Sequence, residues 1–437
     1  MNNTMRLSIL CLLFLCLFFL LRASQKTAVD DATLEEITEI AERFFPIFIE
    51  GTEKEALQTF EMSNAIRSFI QGKTYDTSIK KFQQQFGGVG ELQKKETFQH
   101  NSEIRSVELF YSGKANSFQA RVSFQGRQIV GVHFFPWTSE EAHGGTPIQL
   151  ETPTGTIFGT LSEPEQAVKP VPVVLFLAGS GPTDRNGNQL PSLRTDTYRL
   201  LAEALQKNGI ASVRFDKRGS GASAEAGADE TKLRFDHCVD DAVRWIDLLS
   251  QGNKYSKIIV LGHSEGSLVG MLACIQSKKA VGFISLCGAG RPIDEVIREQ
   301  MNRQPQSVKD SLFPILDELK QGKTVESVPT TLLSLVRPSV QPYMISWMKY
   351  DPRTEIQKLT IPILIIQGTA DIQVSVVDAE KLLEANPKAK KITIENMDHA
   401  GKKGGTPFSQ SSYSNPSLPL HEDLVPCIME FIAESKP

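Results

Sequence analysis

The segment Lys257 to Ser267, KIIVLGHSEGS, constrains the fold of this chain more than any other. Ile258 to Leu261 reads as a strand, and Leu268 to Ile275 reads as a helix. Gly262-His263-Ser264-Glu265-Gly266 stands between them. A chain that turns directly from strand into helix holds its corner residue in strained backbone geometry. Small residues two positions to either side let the two arms approach there. Ser264 at that corner would raise its hydroxyl above the sheet edge, facing the positive end of the helix. The spacing predicts a nucleophilic serine; an ordinary Gly-rich turn is the alternative.

The rest of the C-terminal two-thirds has the same grammar. Near-continuous apolar runs at Val173–Leu177, Ile210–Phe215, Val281–Cys287 and Ile361–Ile366, with Lys391–Ile394, read as strands. Helical stripes separate them, such as Tyr198, Leu201 and Leu205, or Val239, Val243 and Ile246. Leu424–Ile432 closes the chain as a helix, with Pro426 tolerable only in its first turn. Residues 145–437 are therefore expected to form an α/β domain with a mostly parallel sheet covered on both faces. A crossover needs about a dozen residues. The stretch 288–360 is far longer, and its Ile293, Ile297, Leu312 and Leu316 predict a helical insertion capping a pocket at the C-terminal strand ends.

Ahead of it, residues 30–136 read as a small α+β domain. Apolar positions at helical spacing fill 32–71, and an alternating pattern runs from Ile104 to Phe135, with turns at 113–116 and 125–126. Residues 140–145 read as a linker. His100 and His133 read as structural. The first 24 residues have an Arg6, an apolar run from Leu7 to Leu21 and a polar end. They read as a secretory signal, with a membrane anchor as the alternative, and imply export to the periplasm, cell surface or medium. Cys11 and Cys16 lie in this leader; Cys238, Cys274, Cys287 and Cys427 sit in apolar patterns and read as buried free thiols. A net charge of -4, with no basic stripe, argues against nucleic acid, and 7 histidines argue against a histidine-rich metal site.

A serine hydroxyl needs a base, and the base needs a carboxylate. PILIIQGTADIQV ends one later strand and delivers Asp371; KKITIENMDHA ends the next and delivers His399. The order Ser264, Asp371, His399 is the one expected for a nucleophile at a strand–helix elbow. The competitors are weaker. His263 adjoins the serine but points elsewhere, His421 follows a loop, and Asp398 is too near His399 to bond its ring. Asp216 follows an earlier strand and reads as a network residue. The oxyanion donors are expected to be the backbone N–H of Glu265 and that of Ser180, in the loop LAGSGPTDRNGN. In that loop 184–188 has the look of a calcium site, but the glycine is misplaced and Thr195 stands where a bidentate Glu would be wanted.

The motifs AGSGPTDRNGN, DKRGSGAS, GHSEGS and GTADIQV with MDHA, in that order, resemble those of the α/β-hydrolase superfamily. More narrowly, the chain is similar to EstD-like bacterial carboxylesterases, which also carry a small α+β domain ahead of the catalytic one. The resemblance implies an α/β-hydrolase fold with 288–360 as cap, a triad of Ser264, Asp371 and His399, and a serine carboxylesterase acting on small-molecule esters without cofactor or metal. Ala178 departs from many relatives, which have His before the glycine. A serine peptidase or acyl transferase would use the same triad. Export argues against a thioesterase acting on coenzyme A esters, and an intact set of partners argues against a non-catalytic binding protein.

Overall fold

The computed structural model describes residues 33–436 apart from 100–103, 116, 137–143, 166–169, 190–192 and 405–410. The proposed leader at 1–24 lies outside the described residues. The described residues fall into two compact units, 33–136 and 144–436. Among them, no helix is long and apolar enough to cross a membrane.

The N-terminal unit begins with α1 (Leu34–Glu50), opened by a capping box in which Thr33 and Glu36 satisfy each other's amides. Helices α2 (Glu53–Thr59), α3 (Asn64–Ile70) and α4 (Lys73–Phe86) follow. Four antiparallel strands, β1 (Glu91–Gln99), β2 (Ile104–Ser112), β3 (Phe118–Gln125) and β4 (Gln128–Pro136), make a meander in sequence order. The alternation predicted for β3 is real: Phe118, Ala120, Val122 and Phe124 are buried and their neighbours are not. Phe45, Phe82 and Phe86 pack against Phe118 to form an aromatic core. The sequence reading passes over β1. Its residues, ELQKKETFQ, are mostly polar, and it forms the edge of the sheet.

The second unit is built on an eight-stranded sheet. Its strands are β5 (Thr146–Thr152), β6 (Gly155–Ser162), β7 (Val171–Leu177), β8 (Ala211–Phe215), β9 (Tyr255–His263), β10 (Gly282–Leu286), β11 (Ile363–Gly368) and β12 (Lys390–Ile394). The spatial order is β12-β11-β10-β9-β7-β8-β6-β5. Pairing is parallel from β12 to β8, and the β5–β6 hairpin joins antiparallel at the far edge. The strands carry aliphatic side chains to both faces because helices cover both. One layer centres on Trp245, Phe235 and Phe283, the other on Leu201, Leu261 and Ile366. The covering helices include α5 (Thr197–Lys207), α6 (Phe235–Leu249) and α7 (Glu265–Ser277).

The long connection after β10 holds α8 (Ile293–Gln300), α9 (Gln306–Lys320), α10 (Leu333–Val336), α11 (Gln341–Trp347) and α12 (Pro352–Ile356). Its apolar residues Leu312, Leu316 and Met344 join the same core as Trp245. Phe235 of α6 stacks on Trp347 of α11, 5.7 Å between centroids. The chain closes with α13 (Val376–Ala385), the one-turn α14 (Ser411–Ser414) and α15 (Leu424–Glu434). Cys238, Cys274, Cys287 and Cys427 are free thiols.

Candidate active site

The β9–α7 corner has the strain that its spacing predicts. Ser264 sits at φ 56° and ψ -120°, a conformation that costs a non-glycine residue about 1–3 kcal/mol. The two glycines are steric requirements. A Cβ on Gly262 would stand 2.1 Å from the Gly266 carbonyl oxygen, and one on Gly266 would stand 2.1 Å from that of Leu177. The β7–α5 loop also passes close: a Cβ on Gly179 would lie 3.2 Å from the Ser264 Cβ.

The two later strand ends deliver an acid and a base to each other. Asp371, after β11, places Oδ2 2.7 Å from Nδ1 of His399, after β12. The carboxylate is nearly inaccessible, and its other bonds come from Gln367 Nε2 (3.1 Å) and the amides of Gln373 (2.8 Å) and Val374 (2.9 Å). Burial by itself would raise its pKa. His399 and the two amides outweigh that and hold it below the ordinary carboxylate value. A carboxylate can only accept, so Nδ1 of His399 carries the proton that it shares with Asp371.

Ser264, His399 and Ser180 line one pocket, together with Gly179, Tyr198, His263, Gln373 and Tyr413. No hydrogen bond links the Ser264 hydroxyl to the His399 ring; in unliganded enzymes such contacts are often long and tighten with substrate. Among the described residues, neither the Ser180 nor the Glu265 amide donates to a protein acceptor. The pocket's described lining comes from the β7–α5 loop and the first turn of α5, the elbow and the segments after β11 and β12. None of it comes from the insertion, which packs on α6 and α7.

The competing residues have other partners. His263 Nε2 is 2.8 Å from the carbonyl oxygen of His399, so that nitrogen donates. Its Nδ1 then accepts from the Tyr198 hydroxyl at 2.7 Å, which in turn accepts from the Gly179 amide at 3.2 Å. Burial, and secondarily the neighbouring His399, push the His263 pKa down to about 3, so the ring is neutral. The structural role expected of His263 is specific: through Tyr198 it ties the His399 backbone to the β7–α5 loop. Nothing in the spacing reveals Tyr198 as its partner, 65 positions away.

His421 and Asp398 hold turns: His421 Nδ1 accepts from the Asp423 amide, and Asp398 Oδ1 accepts from that of Lys402. Asp216 forms a buried bidentate pair with Arg185 (3.1 and 2.7 Å) and accepts from the Arg185 and Ala222 amides. It locks the β7–α5 loop to the turn after β8. Asp184 caps the same loop by accepting from the Asn186 and Asn188 amides. One trio of described side chains, His263, Cys287 and His399, has donor atoms within 4.8 Å of one another. Both His263 nitrogens and Nδ1 of His399 are already engaged, and burial drives the Cys287 thiol well above its ordinary pKa. The set does not fit a metal ion.

Several known proteins are similar to parts of this chain. Residues 194–353 match the family model described as serine aminopeptidase, S33. Esterase EstD of Thermotoga maritima is 28% identical over 246 residues, which cover 54% of this chain and 57% of that relative's length. Among solved structures, Est1E from Butyrivibrio proteoclasticus is similar at 15% identity with a TM-score of 0.46, covering 66% of this chain and 98% of its own. The Pyrococcus furiosus esterase Pf2001 is similar at 15% identity with a TM-score of 0.45, covering 69% and 95%. With its mixed, mostly parallel sheet and its strand–serine–helix elbow, the second unit has an α/β-hydrolase fold, and residues 194–353 within it are similar to the serine aminopeptidase family.

Proposed function

We propose that this protein is a serine hydrolase that cleaves carboxylic esters through an acyl-enzyme. The observation that carries the reading is the buried Asp371–His399 pair opening onto the same pocket as the strained Ser264. His399 Nε2 takes the Ser264 proton as Oγ attacks the ester carbonyl. The amides of Ser180 and Glu265 receive the oxyanion. The same nitrogen then protonates the departing alcohol, and a water molecule activated by His399 releases the acid and restores the serine. Asp371 fixes the ring's tautomer and stabilises the imidazolium that forms. Beyond the ester and that water, the proposed reaction needs no metal or cofactor.

Esterase EstD supports the ester as substrate; the family match, with its aminopeptidase description, supports an amide. The ester reading is preferred because the named relative extends over more of this chain than the family match does. A panel of aryl esters and aminoacyl anilides decides between them. The esterase reading expects kcat/KM for short-chain aryl esters to exceed that for the anilides by orders of magnitude, and the reverse order sinks it. The same proposal places the enzyme outside the cytoplasm through residues 1–24. Recovery of the unprocessed chain in the cytosolic fraction would contradict that placement.

A further inference from the structure

The two candidate oxyanion amides are joined beneath the site by one ion pair. Lys217, in the turn after β8, extends its ammonium to 2.7 Å from Glu265 Oε1 and 2.9 Å from the Gly179 carbonyl oxygen. The lysine side chain is 11% exposed and the glutamate side chain 1%, so this pair is shielded from solvent. The Tyr343 hydroxyl of α11 donates to the same Oε1 at 2.9 Å.

The consequence follows from peptide geometry. The Gly179 carbonyl and the Ser180 N–H belong to one planar trans unit and point in opposite directions. A cation holding the carbonyl on one side therefore aims the amide to the other. It also polarises the unit and strengthens the N–H as a donor. The carboxylate that anchors this cation belongs to the residue whose own amide is the second donor. We propose that Lys217 is a positioning residue: paired with Glu265, it sets the direction of the Ser180 N–H and its spacing from the Glu265 N–H, and so shapes the oxyanion hole. Burial alone would favour loss of the lysine proton, but Glu265 outweighs it and holds the Lys217 pKa above its ordinary value, so the cation persists across the working range.

This inference rests on the serine-hydrolase reading, and its test keeps the two apart. Lys217→Met alone would strand the Glu265 charge in the interior and endanger the fold. The informative variant is therefore Lys217→Met/Glu265→Gln, which removes both charges at similar volume. Activity on a short-chain aryl ester is measured per active site titrated with a fluorophosphonate. The expected result is a fall in kcat of about 10- to 100-fold with KM within about twofold, because misaiming one donor costs part of what deleting it costs. The rate of phosphonylation should fall in parallel. A purely structural role would lower thermal stability and leave kcat per titrated site unchanged. Unchanged kcat with normal labelling of wild-type Ser264 overturns this inference alone. Failure of wild-type Ser264 to label overturns the hydrolase reading and this inference with it.

Discussion

Nδ1 of His399 stands 2.7 Å from Oδ2 of Asp371, while the carbonyl oxygen of the same histidine is held at 2.8 Å by His263. Ring and backbone of one residue are thus fixed by two independent partners. A histidine held this way keeps Nδ1 as its donor and is fixed in position, which suits the general-base role proposed for it.

Removing the nucleophile should separate chemistry from folding. Ser264→Ala is expected to lower kcat on a short-chain aryl ester by roughly 10⁴-fold or more, with an unchanged circular dichroism spectrum. Retention of even a tenth of the activity would show that another group attacks.

The strain at the elbow predicts an opposite effect on stability. Ser264 holds φ 56° and ψ -120°, which glycine adopts without steric cost. Ser264→Gly should therefore be more stable than Ser264→Ala by about 1 kcal/mol, the relief of strain being partly offset by the greater chain entropy of unfolded glycine. Chemical denaturation of the two variants tests this; equal stability would mean that the corner stores no strain.

Asp371→Asn keeps the shape but reverses the donor logic, because an amide nitrogen can face Nδ1 and favour the wrong tautomer. A kcat loss of about 10²- to 10⁴-fold is expected, with KM little changed. The stability difference between wild type and this variant should also depend on pH. The folded pKa of Asp371 lies below its ordinary 3.8, so the ionised carboxylate stabilises the fold above 3.8, and that contribution is lost as pH falls through the folded value. Denaturation midpoints that kept a constant gap down through that range would contradict the assignment.

His263 predicts an acid sensitivity of another kind. Its folded pKa of about 3 lies below the ordinary 6.5, so between these values the unfolded chain binds a proton that the folded chain refuses. Stability must then rise with pH across that window, by up to about 1.4 kcal/mol per pH unit from this residue. His263→Gln should flatten the dependence of the denaturation midpoint between pH 5 and 7. An unaltered slope would mean that the ring titrates freely.

What the sequence discloses follows from where each signal resides. The elbow is local: Gly262 and Gly266 lie within five residues, and a Cβ on Gly262 would stand 2.1 Å from the Gly266 carbonyl oxygen, so the spacing alone reveals it. The buried parallel strands are legible because both faces are apolar, as in Val173 to Leu177. Strand β1 and the outermost strand β5 are not, because edge strands carry polar residues and lose the period. The long insertion is legible as helical from its spacing, but the contact of Tyr343 with Glu265 spans 78 positions and no local pattern encodes it. The same holds for Lys217 and Gly179, 38 positions apart. A lone lysine after a strand has no signature until the fold shows which carbonyl it meets.

The central claim is that Ser264 is made reactive by its neighbours. Reaction of the folded wild-type protein with a fluorophosphonate probe, followed by peptide mapping, tests it most directly. One adduct per chain is expected, on the Ser264 hydroxyl, with its loss in His399→Ala. A folded protein that takes up no probe, or one labelled at a different serine, would contradict it.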